Sequence, residues 1–140
     1  MHWPTTLLRH DTPAQMSGGV TPHYDWLILD PLAHRSPDLG LWTMRTPAHW
    51  NDWPKLQRID LTPLPRHRRR YLRWAGKLTG HRGSVHVAGQ GHVVAHLWTP
   101  GRVELTLHPR VTHGSPAKPI AISLSPLALG WRGVVNSPER

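Results

Sequence analysis

Two residues apart, His23 and Asp25 lie in a strand-like run, residues 23–29 (HYDWLIL). Period-2 alternation puts Tyr24, Trp26 and Ile28 on one face, and His23, Asp25, Leu27 and Leu29 on the other. An imidazole beside a carboxylate is half of a site for a borderline or hard divalent cation. His10 ends the preceding apolar and β-branched run, residues 5–10 (TTLLRH), and joins the pair if the two runs are adjacent strands. Two imidazoles and one carboxylate, without thiolate, suit manganese, zinc or iron. The alternative is a surface His10 and an Asp25 that merely pairs with an arginine. A second feature is basic. Arg66, Arg68, Arg69, Arg70 and Arg73 crowd around His67, and guanidinium forks grip phosphate with parallel hydrogen bonds. Five arginines in eight positions cannot all point one way. Two or three near the metal residues would hold a nucleic-acid backbone, against the alternative of a solvated basic face.

The elements that position these residues must be short. The chain has 140 residues with 15 prolines and 12 glycines, which leaves little room for long helices. Strands are expected at residues 5–10, 23–29, 41–45, 84–87, 92–99, 102–108, 120–124 and 131–135. Pro100-Gly101 marks a tight hairpin. Residues 65–74 read as a short helix or turn, with Pro65 at the start and Gly76 beyond the end. Residues 15–22 form a loop, 109–119 a polar linker and 136–140 a frayed tail. The expected architecture is mainly β: one domain over residues 1–140, a small closed or partly closed barrel of seven to eight short strands.

Composition narrows the partners. Lys and Arg number 17 against 8 Asp and Glu, a formal charge of +9, and 14 of the 17 are Arg. A polyanion is the expected partner. The absence of cysteine removes disulfides, thiolate metal sites and cysteine nucleophiles. No apolar run approaches the ~20 residues of a membrane span and the first residues are unlike a signal peptide, so a cytoplasmic protein without membrane contact is expected.

His10-Asp11, a spacer, His23-Tyr24-Asp25, then Leu41-Trp42-Thr43, His67-x-x-x-Tyr71, Gly76 and Gly83-Ser84-Val85 follow one another in order. This series resembles the 3′-phosphoesterase domain of bacterial ligase D, and more closely its small stand-alone relatives, over residues 5–108. The resemblance implies a compact β-barrel with manganese (zinc being the other candidate) held by His10, His23 and Asp25. It also implies that His67 contacts the scissile phosphate and that Tyr71 lines the same pocket. The implied activity is metal-dependent trimming of nucleic-acid 3′ ends in DNA repair, removing a terminal ribonucleoside or a 3′-phosphate. A separate ligase or polymerase of the same pathway is the implied protein partner. The chain departs from the family where Leu27 stands in place of an arginine, where Pro65 and Arg66 replace an acidic residue, and at Ala75, where a glutamate is expected. Those departures support a rival reading, a catalytically weakened accessory module that binds nucleic-acid ends.

The remaining aromatic and histidine residues have plainer expectations. Trp26, Trp42, Trp74 and Trp98 belong to the core, and Trp50 and Trp53, in a loop-like stretch, cap a barrel end, with stacking on bases as the alternative. His81, His86, His92, His96 and His108 match no family ligand and are read as solvent-facing, with a second metal site at His92 and His96 as the alternative. Ser84 lacks an identifiable base with an orienting acid.

Overall fold

A computed structural model describes residues 2–11, 23–73, 76–77, 84–110 and 117–136. Among them, nine strands make one antiparallel sheet: β1 (His2–Asp11), β2 (His23–Ile28), β3 (Trp42–Thr46), β4 (Arg58–Pro63), β5 (Gly76–Lys77), β6 (Ser84–Thr99), β7 (Arg102–Pro109), β8 (Ile120–Leu127) and β9 (Gly130–Asn136). The order β1-β2-β3-β4-β9-β8-β7-β6, with β6 returning to β1, closes eight strands into a barrel, and β5 adds a short pairing on β6. Two short helices, α1 (Pro31–Arg35) and α2 (Trp53–Leu56), and 3-10 turns at Trp50–Asp52 and Arg69–Leu72 complete it. None of these helices is long and apolar enough to cross a membrane.

Closure depends on β6. Residues 84–87 and 92–99, expected as separate strands, are one strand of 16 residues that pairs with β1 at one end and β7 at the other. The intervening Ala-Gly-Gln-Gly looks like a break in sequence, yet it stays in the ladder through a bulge, with Leu7 opposite Gly89 and Leu8 opposite Val87. A bulge bends and twists its strand, which is what wrapping a sheet onto itself needs. Gly89 has a second reason: a Cβ there would lie 2.4 Å from the Trp50 ring. β4 has no counterpart among the expected strands, although its buried Ile59 and Leu61 alternate with exposed neighbours. Pro63 and Pro65 conceal that alternation from a reading of the sequence.

Inward-facing residues fill the barrel. Leu7, Trp26, Ile28, Met44, Val93, Leu105 and Ile122 pack with Trp50 and Trp53, both of which are buried. The two tryptophans therefore cannot stack on bases. Trp26 is buried as expected, and its indole N–H donates to Thr5 Oγ1 at 2.8 Å, which in turn donates to the Leu27 carbonyl. Trp42 and Trp98 are only half-buried against this core, and Trp74 lies outside the described residues. So do residues 12–22, 78–83, 111–116 and 137–140, with the loop, most of the linker and the tail expected there.

A second, smaller apolar cluster sits on the outer face of the barrel wall: Leu8, Leu27, Leu41 and Val85, covered by Tyr71 and Leu72. The cover is the segment expected as a short helix or turn. It runs extended through His67, which bridges to Leu41, and then makes the 3-10 turn. What holds it is Arg66, whose guanidinium donates to both carboxylate oxygens of Asp30 at 2.9 Å and to the Gly40 carbonyl at 2.8 Å. Asp30 is 1% exposed, and it also caps α1 by accepting from the Ala33 amide at 3.1 Å. Removing one partner of a buried ion pair leaves an uncompensated charge, at a cost of about 3–5 kcal/mol. Arg66→Ala should therefore lower unfolding free energy in urea by that amount. Added to Asp30→Ala, it should cost far less; strictly additive losses would show that the pair is not coupled.

Candidate metal centre and phosphate recess

β1 and β2 pair so that His10 stands directly opposite His23 and Leu8 opposite Asp25. All outward-facing, the three candidate ligands His10, His23 and Asp25 meet on the outer wall, with one donor atom of each within 4.8 Å of the others. His10 Nδ1 and His23 Nε2 are 2.9 Å apart. Two donors on one ion at ~2.1 Å, at about a right angle, stand ~3.0 Å apart, so the imidazoles need little movement to share a cation. Burial and the Arg45 guanidinium lower the pKa of His23, with Asp25 opposing them, which favours the neutral ring that a metal requires.

Asp25 does pair with an arginine, the alternative that its sequence leaves open, and it does so from within the triad. Arg45, directly opposite on β3, places Nε 3.3 Å from Oδ1, and His67 places Nε2 3.7 Å from Oδ2. Burial alone would raise the pKa of this carboxyl, but His67, Arg45 and His23 together hold it below its ordinary value. Both contacts exceed the ~2.7–2.9 Å of a good charge-assisted hydrogen bond, so the carboxylate is held ionised without being locked. Arg45 escaped the sequence reading. Its signal was parity with Thr43 on β3, which becomes informative only once the register with Asp25 is known.

His67 is set over the triad by its backbone. Its carbonyl accepts from Leu41 at 2.7 Å and its amide donates to Thr43 Oγ1 at 3.3 Å. Gly40 permits this approach, since a Cβ there would sit 2.5 Å from the His67 carbonyl oxygen. Nδ1 lies 3.0 Å from the Pro65 carbonyl, which can only accept, so Nδ1 carries a proton and Nε2 faces Asp25. Asp25, followed by the bond to Pro65, raises the His67 pKa against the effect of burial. Tyr71 packs edge-on at 5.6 Å. Together with His10, Asp25, Arg66, Arg68 and Arg70, these two residues line a recess of about 440 Å³.

The five arginines divide. Arg68 and Arg70 line the recess, and Arg70 also lies over the Tyr71 ring at 5.2 Å. Arg66 is engaged with Asp30, and Arg69 donates to the carbonyls of Ala33 and Ser36, so both hold the fold. Arg73 faces a different recess, beyond the turn. Leu27 is buried in the outer apolar cluster, so an arginine substituted there, as in the family pattern, would have no room.

The other histidines also sort by register. His96 contacts Thr106 Oγ1 at 2.8 Å and does not join His92, because a shift in register between Ala95 and Leu97 separates them. His92 packs instead between His2 and His108. Ser84 does have a base and an acid nearby: His86 Nε2 is 3.0 Å from its Oγ and 3.3 Å from Asp11 Oδ2. The same nitrogen makes both contacts, whereas a nucleophile relay needs two different ring nitrogens.

No protein-family model matches the chain, and no curated protein is detectably similar to it. What the site does must be read from its own geometry.

Two measurements check that geometry. Manganese or zinc should raise the melting temperature of the protein, and His23→Ala should abolish the rise; an unchanged rise in the variant would exclude the triad. The ion pair should also leave a pH signature. A raised His67 pKa stabilises the fold fully below the ordinary value of 6.5, and that contribution is lost as pH rises through the folded value. A lowered Asp25 pKa stabilises it above the ordinary 3.8, and that is lost as pH falls through the folded value. Metal-free wild type should thus lose stability relative to His67→Ala on either side of that window. Parallel profiles would mean the two groups do not interact.

Proposed function

We propose that this protein is a divalent-metal-dependent phosphoesterase that trims the 3′ ends of nucleic acids. The observation that carries the proposal is the convergence of His10, His23 and Asp25 beside a recess lined by His67, Tyr71, Arg68 and Arg70. The resemblance to the 3′-phosphoesterase domain of ligase D agrees with that grouping, because residues drawn from distant parts of the sequence come together at one place.

His10, His23 and Asp25 would hold the ion, manganese fitting the two-imidazole, one-carboxylate set and zinc being the alternative. A bound ion of this kind polarises a phosphoryl oxygen and lowers the pKa of water. The chain supplies the rest. Arg68 and Arg70 bring the charge that attracts and orients a phosphodiester. His67, whose pKa is raised in the metal-free site by Asp25 and the Pro65 carbonyl, would in its charged form donate from Nε2 to a non-bridging oxygen as negative charge builds there. Water would add to phosphorus and lose one proton as the bond to the leaving oxygen breaks, and the leaving oxygen would take up one proton, so that the products are a phosphate and an alcohol. Arg45 stands where it keeps Asp25 ionised, and it offers a guanidinium on the face where Leu27 cannot.

Leu27 favours the second reading, an end-binding accessory module. Its buried side chain closes the place from which the family's arginine acts. The expected result is metal-dependent trimming of a labelled primer carrying one 3′-ribonucleotide or a 3′-phosphate, slow in wild type. Loss of a preorganised donor costs about 10²–10³ in rate, so His67→Ala should reduce trimming by that factor and leave metal affinity nearly unchanged. Arg68→Ala with Arg70→Ala should flatten the salt dependence of primer binding. Tight, salt-sensitive binding with no trimming in any metal would select the accessory module instead.

A further inference from the structure

A second recess, of about 480 Å³, opens on the other side of the Arg69–Leu72 turn. Three imidazoles from three neighbouring strands form its floor. His2 on β1 and His92 on β6 have ring centroids 4.9 Å apart, and His92 stacks on His108 of β7 at 4.8 Å with planes 11° apart. Arg73 and Arg110 flank them, and among the described residues no aspartate or glutamate lines the recess. Gln90 ties the two sides together. Its side-chain amide donates to the Leu72 carbonyl at 3.0 Å, fixing the turn beside Arg73, and its Oε1 lies 3.4 Å from Arg110. The Arg110 amide donates to the Gln90 carbonyl at 2.7 Å. Gly91 keeps the floor open, since a Cβ there would stand 2.2 Å from the His108 carbonyl oxygen.

Grouped histidines first suggest a cation, and the geometry opposes one. Their donor atoms do not draw together as those of His10, His23 and Asp25 do among the described residues. Face-to-face rings point their nitrogens side by side, and two guanidiniums repel a positive ion. An anion meets the opposite situation: five groups that carry or accept positive charge, with no internal counter-charge.

We propose that this recess is a second phosphate site, which holds the backbone of the same nucleic-acid strand several nucleotides from the end being processed. The proposal rests on the reading of the first recess as the place where a 3′ end is bound. The two recesses share β1, with His10 in one and His2 in the other, eight residues apart. At ~3.3 Å per residue that is at most about 26 Å. About eight stacked nucleotides at ~3.4 Å each cover the same length. Burial, then His108 and His2, lower the pKa of His92, so this ring takes up its charge at a lower pH than an ordinary imidazole does. A backbone phosphate should therefore bind more tightly under mildly acidic conditions.

Fluorescence anisotropy with labelled single strands of about 4 and about 16 nucleotides tests this, because only the longer reaches both recesses. Wild type should favour the longer strand by about tenfold to a hundredfold, the worth of one charge-assisted hydrogen bond. That preference should grow between about pH 7.5 and about pH 6. His92→Gln with His108→Gln should remove the preference and its pH dependence, leaving the short strand unaffected. Arg73→Gln with Arg110→Gln, at two exposed positions, should remove the preference without touching the histidines. Equal losses for both lengths, or none, would overturn the proposal. So would inorganic phosphate saturating the recess as tightly as the long strand does, which would mark a site for free anions. If wild type trims no 3′ end yet shows a length preference that these variants abolish, the catalytic reading fails and the second phosphate site stands.

Discussion

The arrangement on the outer wall depends on one buried ion pair. Asp30, almost fully buried, ends the β2 side of the structure and starts α1, and Arg66 reaches it from 36 positions later in the chain. A carboxylate in that position is tolerable only because its lone pairs are taken by a bidentate guanidinium and a helix-capping amide. The consequence is positional. With Arg66 clamped, the next residue is His67, and its backbone is drawn onto Leu41 and Thr43 close enough that Gly40 must lack a side chain. Tyr71 and Leu72 then fall on the outer apolar cluster, and the roof of the first recess is complete. An arginine that looks like part of a phosphate-binding run is thus the anchor that holds the segment carrying Arg68 and Arg70 beside the recess.

Asp25 illustrates the complementary constraint. It is buried against a wall of leucines, and burial works against its charge. Three nitrogen-bearing side chains around it, His67, Arg45 and His23, offset that cost. Arg45 at 3.3 Å and His67 at 3.7 Å both stand beyond the distance of a strong ion pair. The carboxylate also couples the triad to His67, because Asp25 is the main cause of the raised His67 pKa.

How much of this was legible in the sequence follows from the range of the interactions involved. His23 and Asp25 share a face by strand geometry alone, and His10 joins them because adjacent strands pair, so the triad needed only local pattern and one neighbour. His67 and Tyr71 could not be reached in that way. They entered through an ordered series of short motifs, and the structure brings both to the same recess. Arg45, the structural role of Arg66 and the continuity of β6 were not legible, because each is fixed by register or contact between segments far apart in the chain. The Arg-rich run, read as a short helix or turn, turns at Arg69–Leu72, but its extended start was not legible because contacts of Arg66 with Asp30 and of His67 with Leu41 set it. The stacked His2, His92 and His108 lie beyond any period-2 rule within one strand, which is why the pairing of His92 with His96 looked attractive and is absent.

The packing of the interior bears on what kind of molecule the protein can act upon. Barrels of this size either fill with side chains or hold one small ligand. Here Trp26, Trp50 and Trp53 occupy the interior, and Gly89 is a glycine because the Trp50 ring takes the space. Chemistry is left to the outer wall, where the Arg69–Leu72 turn crosses the strands and makes a recess on each flank. Open grooves on a wall do not enclose a small molecule and exclude water from it on all sides. They suit a polymer that lies along the surface and is gripped at several charges, each contact weak by itself and salt-sensitive. The excess of positive charge, placed on Arg68, Arg70, Arg73 and Arg110 around these grooves, is then the counterpart of a filled barrel. On the proposed function, a fold that cannot surround its substrate would hold it by its backbone.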